Sequence, residues 1–98
     1  MEVSVNIIKQ GKHLIIAACD LNLLGKILDF GKIKFDVSRS FYGGVNVSAE
    51  EAVHLMRRAT TVNIVGPTVV KKAIEEGLIN PKSVINISGI PHAQIAKV

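Results

Sequence analysis

Ninety-eight residues, 48% hydrophobic and 20% charged, fit a single globular domain and exclude a disordered chain. A formal charge of +4 suits anionic partners, and a lone cysteine, Cys19, excludes an internal disulfide and a multi-cysteine zinc site. No apolar run approaches the roughly 18 residues of a membrane span, and Met1-Glu2-Val3-Ser4 does not open as a secretory signal, so a reducing, cytoplasmic setting is expected.

In chain order, Val3, Val5 and Ile7 alternate with Glu2, Ser4 and Asn6, the period of a half-buried strand. Gln10-Gly11-Lys12 reads as a hairpin turn. His13 to Cys19 follows as a central strand, apolar on both faces, which makes Cys19 a buried thiol. Asp20 can cap a short helix over Leu21 to Leu24 that Gly25 stops. Lys26 to Phe30 fits loop or strand equally, whereas Ile33-Lys34-Phe35-Asp36-Val37 alternates as a strand behind Gly31. The strongest helix signal runs from Ala49 to Ala59. Ser48 and Glu51 form a capping box there, and Ala49, Ala52, Val53, Met56 and Ala59 share one stripe with Leu55 at its edge. Thr60 to Val65 is a β-branched strand that meets a breaker at Gly66-Pro67. A second helix spans Thr68 to Glu76, with Val69, Val70, Ala73 and Ile74 inward and Gly77 closing it. Asn80-Pro81 is a turn, Val84 to Ile87 a strand, and Gly89-Ile90-Pro91 ends regular structure. This order predicts one α+β domain over residues 1–98: two layers, a mixed sheet of about five strands, two principal helices on one face and one short helix.

Three features could carry function. Arg39-Ser40-Phe41-Tyr42-Gly43-Gly44 sets two of the chain's four aromatics side by side in a loop between strand and helix. Neighbours on extended chain point to opposite faces, so one ring, or the Tyr42 hydroxyl, should face outward. The glycine pair predicts a left-handed turn. Lys32 and Lys34, read as sharing one strand face, and Arg39 flank the aromatics, and these are the ingredients of RNA contact. Arg39 and Lys34 would meet phosphate, Tyr42 would stack or hydrogen-bond, and Gly43-Gly44 would permit close backbone approach. Second, Lys71 and Lys72 lie where the helix dipole disfavours them. An anion held by Gly66, Thr68 and these lysines would explain that, as would a solvated face with Lys71–Glu75 and Lys72–Glu76 pairs. Third, Ile90-Pro91-His92-Ala93-Gln94 reads as a loop in which His92 can exchange a proton and Gln94 offers a donor and an acceptor. It is predicted to meet the Phe41–Gly44 loop in a composite site. His13 and His54 read as solvated. G-x-S-x-G, Walker, G-x-G-x-x-G, H-E-x-x-H and C-x-x-C patterns are all missing, so no catalytic residue, cofactor or metal is assigned.

Leu23-Leu24-Gly25-Lys26, Phe41-Tyr42-Gly43-Gly44, Asn63-Ile64-Val65-Gly66 and Ile90-Pro91-His92-Ala93-Gln94 together resemble an archaeal family, domain-of-unknown-function family four-twenty-four. The resemblance covers nearly the whole chain, with one departure in the tail, which runs on through Ile95-Ala96-Lys97-Val98. It implies a small α/β protein without an established activity and genes near those of translation. Charge, aromatic loop and resemblance together lead to the expectation of a non-enzymatic RNA- or ribosome-associated protein of archaeal translation, with no DNA-reading module and no membrane contact. The rival is a nucleotide- or small-molecule-phosphate enzyme using the Gly66–Thr68 helix start and His92. A subunit that binds a protein partner through its loops is a third option.

Overall fold

The computed structural model describes residues 2–97, an α+β fold built on a six-stranded mixed sheet with a separate two-stranded hairpin. In chain order the elements are β1 (Val3–Gln10), β2 (His13–Asp20), β3 (Ile27–Phe30), β4 (Ile33–Asp36), the single turn α1 (Arg39–Tyr42), β5 (Val45–Val47), α2 (Ala49–Met56), β6 (Thr61–Val65), α3 (Pro67–Glu75), β7 (Ile85–Ile87) and β8 (Ile90–Ala96). The large sheet runs β5-β1-β2-β6-β8-β7. Its one parallel pair, β2 with β6, lies at the centre, and its other neighbours are antiparallel.

The alternation that predicts β1 decides which face is core. Val3 and Val5 of β1, Ile16 and Ala18 of β2, Val62 and Ile64 of β6, and Ala93 of β8 all turn to one side. There they meet Ala52, Val53 and Met56 of α2 and Val69, Val70 and Ala73 of α3, so both principal helices cover the same face, as the sequence predicts. Burying each of the larger of these side chains contributes roughly 1.5–3 kcal/mol. Met56, fully buried at the end of α2, would leave a large cavity in this layer if cut back to alanine. The capping box is half realised: Ser48 Oγ accepts from Glu51 N at 3.1 Å. The next free donor, Ala49 N, is satisfied by Glu2 Oε1 at 2.9 Å, so β1 and α2 are fastened to each other. At the far end Lys97 Nζ donates to the Met56 and Arg57 carbonyls at 3.1 and 3.2 Å, which ties the end of the chain to the helix C-terminus.

The opposite face carries a second core, which adds a small hairpin to the expected helices-on-sheet arrangement. The β3–β4 hairpin lays Leu28 and Phe35 over Ala17, Cys19 and Val65, and Leu23, Val37 and Tyr42 close the cluster. Lys26 to Phe30 resolves as strand because Leu28 pairs with Phe35 and both have apolar surface to cover. The mixed sheet thus has six strands against the expected five or so, and the hairpin adds two more outside it. The largest departure is β8: the stretch read as the end of regular structure is an interior strand, flanked by β6 and β7. Pro91 is tolerated there because it lies opposite Gly66, just past the end of β6. Its carbonyl accepts from Gly66 N at 2.9 Å, while Gly66 O is already taken by Val70 N, so no acceptor waits for the proton that proline lacks. None of the described helices is long and apolar enough to cross a membrane.

Candidate nucleic-acid interface

Ser38 caps α1, its Oγ accepting from Phe41 N at 3.3 Å, and this wraps Arg39–Tyr42 into one helical turn where a loop is expected. On a helical turn adjacent side chains diverge by about 100° rather than 180°. Phe41 and Tyr42 can therefore serve one cluster, and they meet edge to face at 4.9 Å. Of the two rings, one of which is expected to face outward, Tyr42 does not, and its hydroxyl is turned inward as well. Tyr42 is 3% exposed, so it offers no face for a base to stack on, whereas Phe41 is half-buried at the cluster's margin.

The glycines behind it follow a different logic from the predicted left-handed turn. Neither Gly43 nor Gly44 has φ in the left-handed region. A β-carbon on Gly44 would lie 2.1 Å from the Val5 carbonyl oxygen, and one on Gly43 2.4 Å from that of Arg39. The pair permits close approach, but of the protein's own backbone. Ser4, wholly buried, completes the seam: its Oγ donates to Tyr42 O at 2.9 Å and accepts from Gly44 N at 3.1 Å.

The loop and the C-terminal segment do meet, at a residue that the sequence-level site assignment omits. Asn63 Oδ1 accepts from the Tyr42 hydroxyl at 2.6 Å and lies 3.1 Å from His92 Nε2. A carbonyl oxygen only accepts, so Nε2 carries the imidazole proton and Nδ1 is the free acceptor. His92 is buried rather than a loop histidine, and Phe35 stands edge-on to its ring at 5.0 Å. Burial lowers the His92 pKa and keeps the ring neutral. It also raises that of Tyr42, with the nearby Cys19 adding to the shift. Cys19 itself is pushed up to about 11, by burial first and the Asp20 charge second, and is an inert core thiol. A polar residue in the middle of the apolar run Thr60–Val65 is the one sequence signal that could have exposed Asn63. Gln94, two residues beyond His92 on the same face of β8, is exposed.

The basic residues divide. Arg39 is exposed at the start of α1, its guanidinium passing over Gly25, where a β-carbon would come within 3.2 Å of Nε. Lys34 pairs across the hairpin with Asp29, and Lys32 lies in the turn before β4, so the two lysines do not share a strand face. The anion seat at the start of α3 is filled from within. Asp20, expected to cap the turn that follows it, instead spans to α3, where Oδ2 accepts from Thr68 N at 2.8 Å and Oδ1 from Val69 N at 2.9 Å. Gly66 adopts φ 123°, and a β-carbon there would lie 2.4 Å from the Asp20 carboxyl carbon, so both conformation and space require glycine. A phosphate would have to displace a carboxylate already holding the donors it needs. Lys72 bridges to Glu76 at 3.6 Å and to Glu75 at 4.0 Å, which accounts for its position, while Lys71 remains exposed.

Comparison with known proteins fits this picture. The model of DUF424, a family described as proteins of unknown function, matches residues 8–98, and the chain belongs to that family. A solved structure, "Crystal structure of an uncharacterized conserved protein from Methanopyrus kandleri", superposes with a TM-score of 0.86 at 24% identity, covering 100% of this chain and 95% of that one, and supports the fold. No curated protein matches.

Proposed function

We propose that this DUF424 protein is a non-enzymatic RNA- or ribosome-associated accessory protein, with translation as the setting that the family resemblance implies. The observation that carries the reading is the separation of charge. Every glutamate, Glu2, Glu50, Glu51, Glu75 and Glu76, lies in or against the two principal helices, where Arg57, Arg58, Lys71 and Lys72 nearly balance them. The surplus positive charge lies outside α2 and α3: Lys12, Lys26, Lys32, Lys34, Arg39 and Lys82 belong to hairpins, turns and α1, whereas Lys9 lies on the helix face of β1 and Lys97 is bound to the end of α2. Only Asp20, Asp29 and Asp36 oppose these, and Asp20 is spent on the start of α3. A polyanion would therefore approach from the side away from the helices.

The Tyr42–Asn63–His92 network favours binding over catalysis. Both donors are held by a single carbonyl oxygen, an arrangement that fixes the orientation of the Asn63 amide. The phosphate-enzyme alternative has lost its seat to Asp20.

Co-sedimentation with ribosomal subunits across a salt series tests the proposal. Association should weaken steeply with salt, each phosphate contact contributing about 0.7–0.9 to the slope of log K against log salt. Arg39→Ala should lower that slope by about one contact. Absence of any RNA or ribosome binding at low salt would overturn the reading.

A further inference from the structure

The strand registers line up one row of side chains on the sheet face away from the helices. Asn6 of β1 pairs with Ala17 of β2, Ala17 with Asn63 of β6, and Asn63 with Gln94 of β8. The row above, through Ser4, Cys19, Val65 and His92, lies under Tyr42 and the hairpin. The row below is Ile8, Ile15, Thr61 and Ala96. Ile8, Ile15 and Thr61 are half-buried, Ala96 is exposed, and none of them belongs to either core. The amide row thus marks the edge where the covered half of the sheet gives way to an open half.

Two of its amides are pinned by the protein. Asn6 Nδ2 donates to Phe41 O at 2.8 Å, which leaves its oxygen as the spare group. Asn63 is fixed the opposite way: Tyr42 and His92 hold its oxygen, so the spare group is the NH2. Every buried side-chain polar atom among the described residues has a partner, and this nitrogen makes no bond to them, so it lies at the surface. Directly opposite, across an antiparallel pair, stands the exposed Gln94, whose amide is uncommitted. Side chains so paired have their β-carbons about 5 Å apart, within reach of one flat partner.

From this we infer that Asn63 and Gln94 form a reading pair for the edge of an unpaired RNA base, with Ile8 and Ile15 beneath its neighbours and the Tyr42–His92 clamp fixing which way Asn63 points. This rests on the RNA reading above. Amide side chains bond base edges through paired donors and acceptors. A pinned amide has less orientational freedom to lose than a mobile one. The neutral row is flanked by positive charge on both sides of the open face: Arg39 at the start of α1, and Lys12 in the exposed turn between β1 and β2. Neutral readers between cationic flanks fit a chain with phosphates outside and bases inward. A duplex hides the base edges that such a pair would touch.

Binding of short single-stranded homopolymers and of a hairpin duplex, measured by fluorescence anisotropy, tests this. Asn63→Asp keeps an oxygen for Tyr42 and His92 but exchanges the outward NH2 for a second, negatively charged oxygen, and Gln94→Ala alters an exposed side chain without changing charge. Gln94→Ala should weaken binding of the preferred homopolymer about tenfold or more with the salt slope unchanged, because a good base contact discriminates by that much, and Asn63→Asp should lose the preference among homopolymers. Arg39→Ala should weaken all homopolymers alike. If wild-type protein binds RNA while Gln94→Ala retains full affinity and base preference, or if the duplex is preferred, the reading pair is wrong and the RNA function stands. If wild-type protein binds no RNA at low salt, or binds the ribosome only through a protein component, the reading pair falls, and absence of both RNA and ribosome binding removes the proposed function as well.

Discussion

Asp20 occupies the space that the β-carbon of any other residue at position 66 would need: a β-carbon on Gly66 would lie 2.4 Å from the Asp20 carboxyl carbon. The end of β2 and the start of α3 are thus fitted to each other, with the carboxylate as the built-in anion of the helix. Gly66→Ala should lose stability by about 2–4 kcal/mol, combining backbone strain with loss of the cap. Asp20→Asn, which keeps one acceptor, should cost less than Asp20→Ala. Urea midpoints of the three variants check the order, and adding phosphate to Asp20→Ala should raise its melting temperature more than that of the wild type.

Asn63 carries two donors on one oxygen, so its neighbours are coupled. Tyr42→Phe should cost about 1 kcal/mol, the net worth of one hydrogen bond, whereas Asn63→Leu, which strands both donors, should cost about 2–4 kcal/mol. Combining the two should cost clearly less than the sum, and a denaturant double-mutant cycle measures the shortfall.

His92 gives the fold a pH dependence with a defined sign. Burial depresses its folded pKa below the unfolded value of about 6.5, so the unfolded chain binds the proton first. Stability should be undiminished above that value and fall as pH drops below it toward the folded pKa. His92→Gln should flatten this part of the profile. Thermal unfolding between pH 7.5 and pH 5 is the measurement.

Gly44→Ala should destabilise although its φ is ordinary, because the added carbon would overlap the Val5 carbonyl and pry α1 from β1. Gly11→Ala offers the contrast. Nothing stands near its β-carbon, and its φ of 59° costs only the left-handed penalty of about 1 kcal/mol. Comparing their unfolding free energies separates crowding from strain.

What the sequence discloses follows the range of the interaction. α2 and α3 are readable because Ser48, Glu51 and Gly77 mark their ends and the stripe between repeats on schedule, although α2 stops at Met56, before the predicted Ala59. α1 is too short for any period, and only Ser38 hints at it. β8 is hidden because Pro91 reads as a breaker, and its tolerance depends on the chain having already left β6 at Gly66, a fact of tertiary structure. The meeting of Tyr42 with His92 is predictable as a tendency of odd residues to gather. That Asn63 joins them follows from strand register, which periodicity alone does not set.

The placement of β8 between β6 and β7 also bears on how the chain matures during synthesis. β1, β2 and β6 can pair once the segment through Val65 has emerged, yet β6 then keeps one edge open until the last strand arrives. That exposed edge, Thr61–Val65, is β-branched and uncharged, the kind of surface on which nascent chains pair wrongly. Completion of the sheet therefore waits for β8, the last of these strands in chain order, and a nascent chain halted within α3 would leave the Thr61–Val65 edge open to wrong pairing.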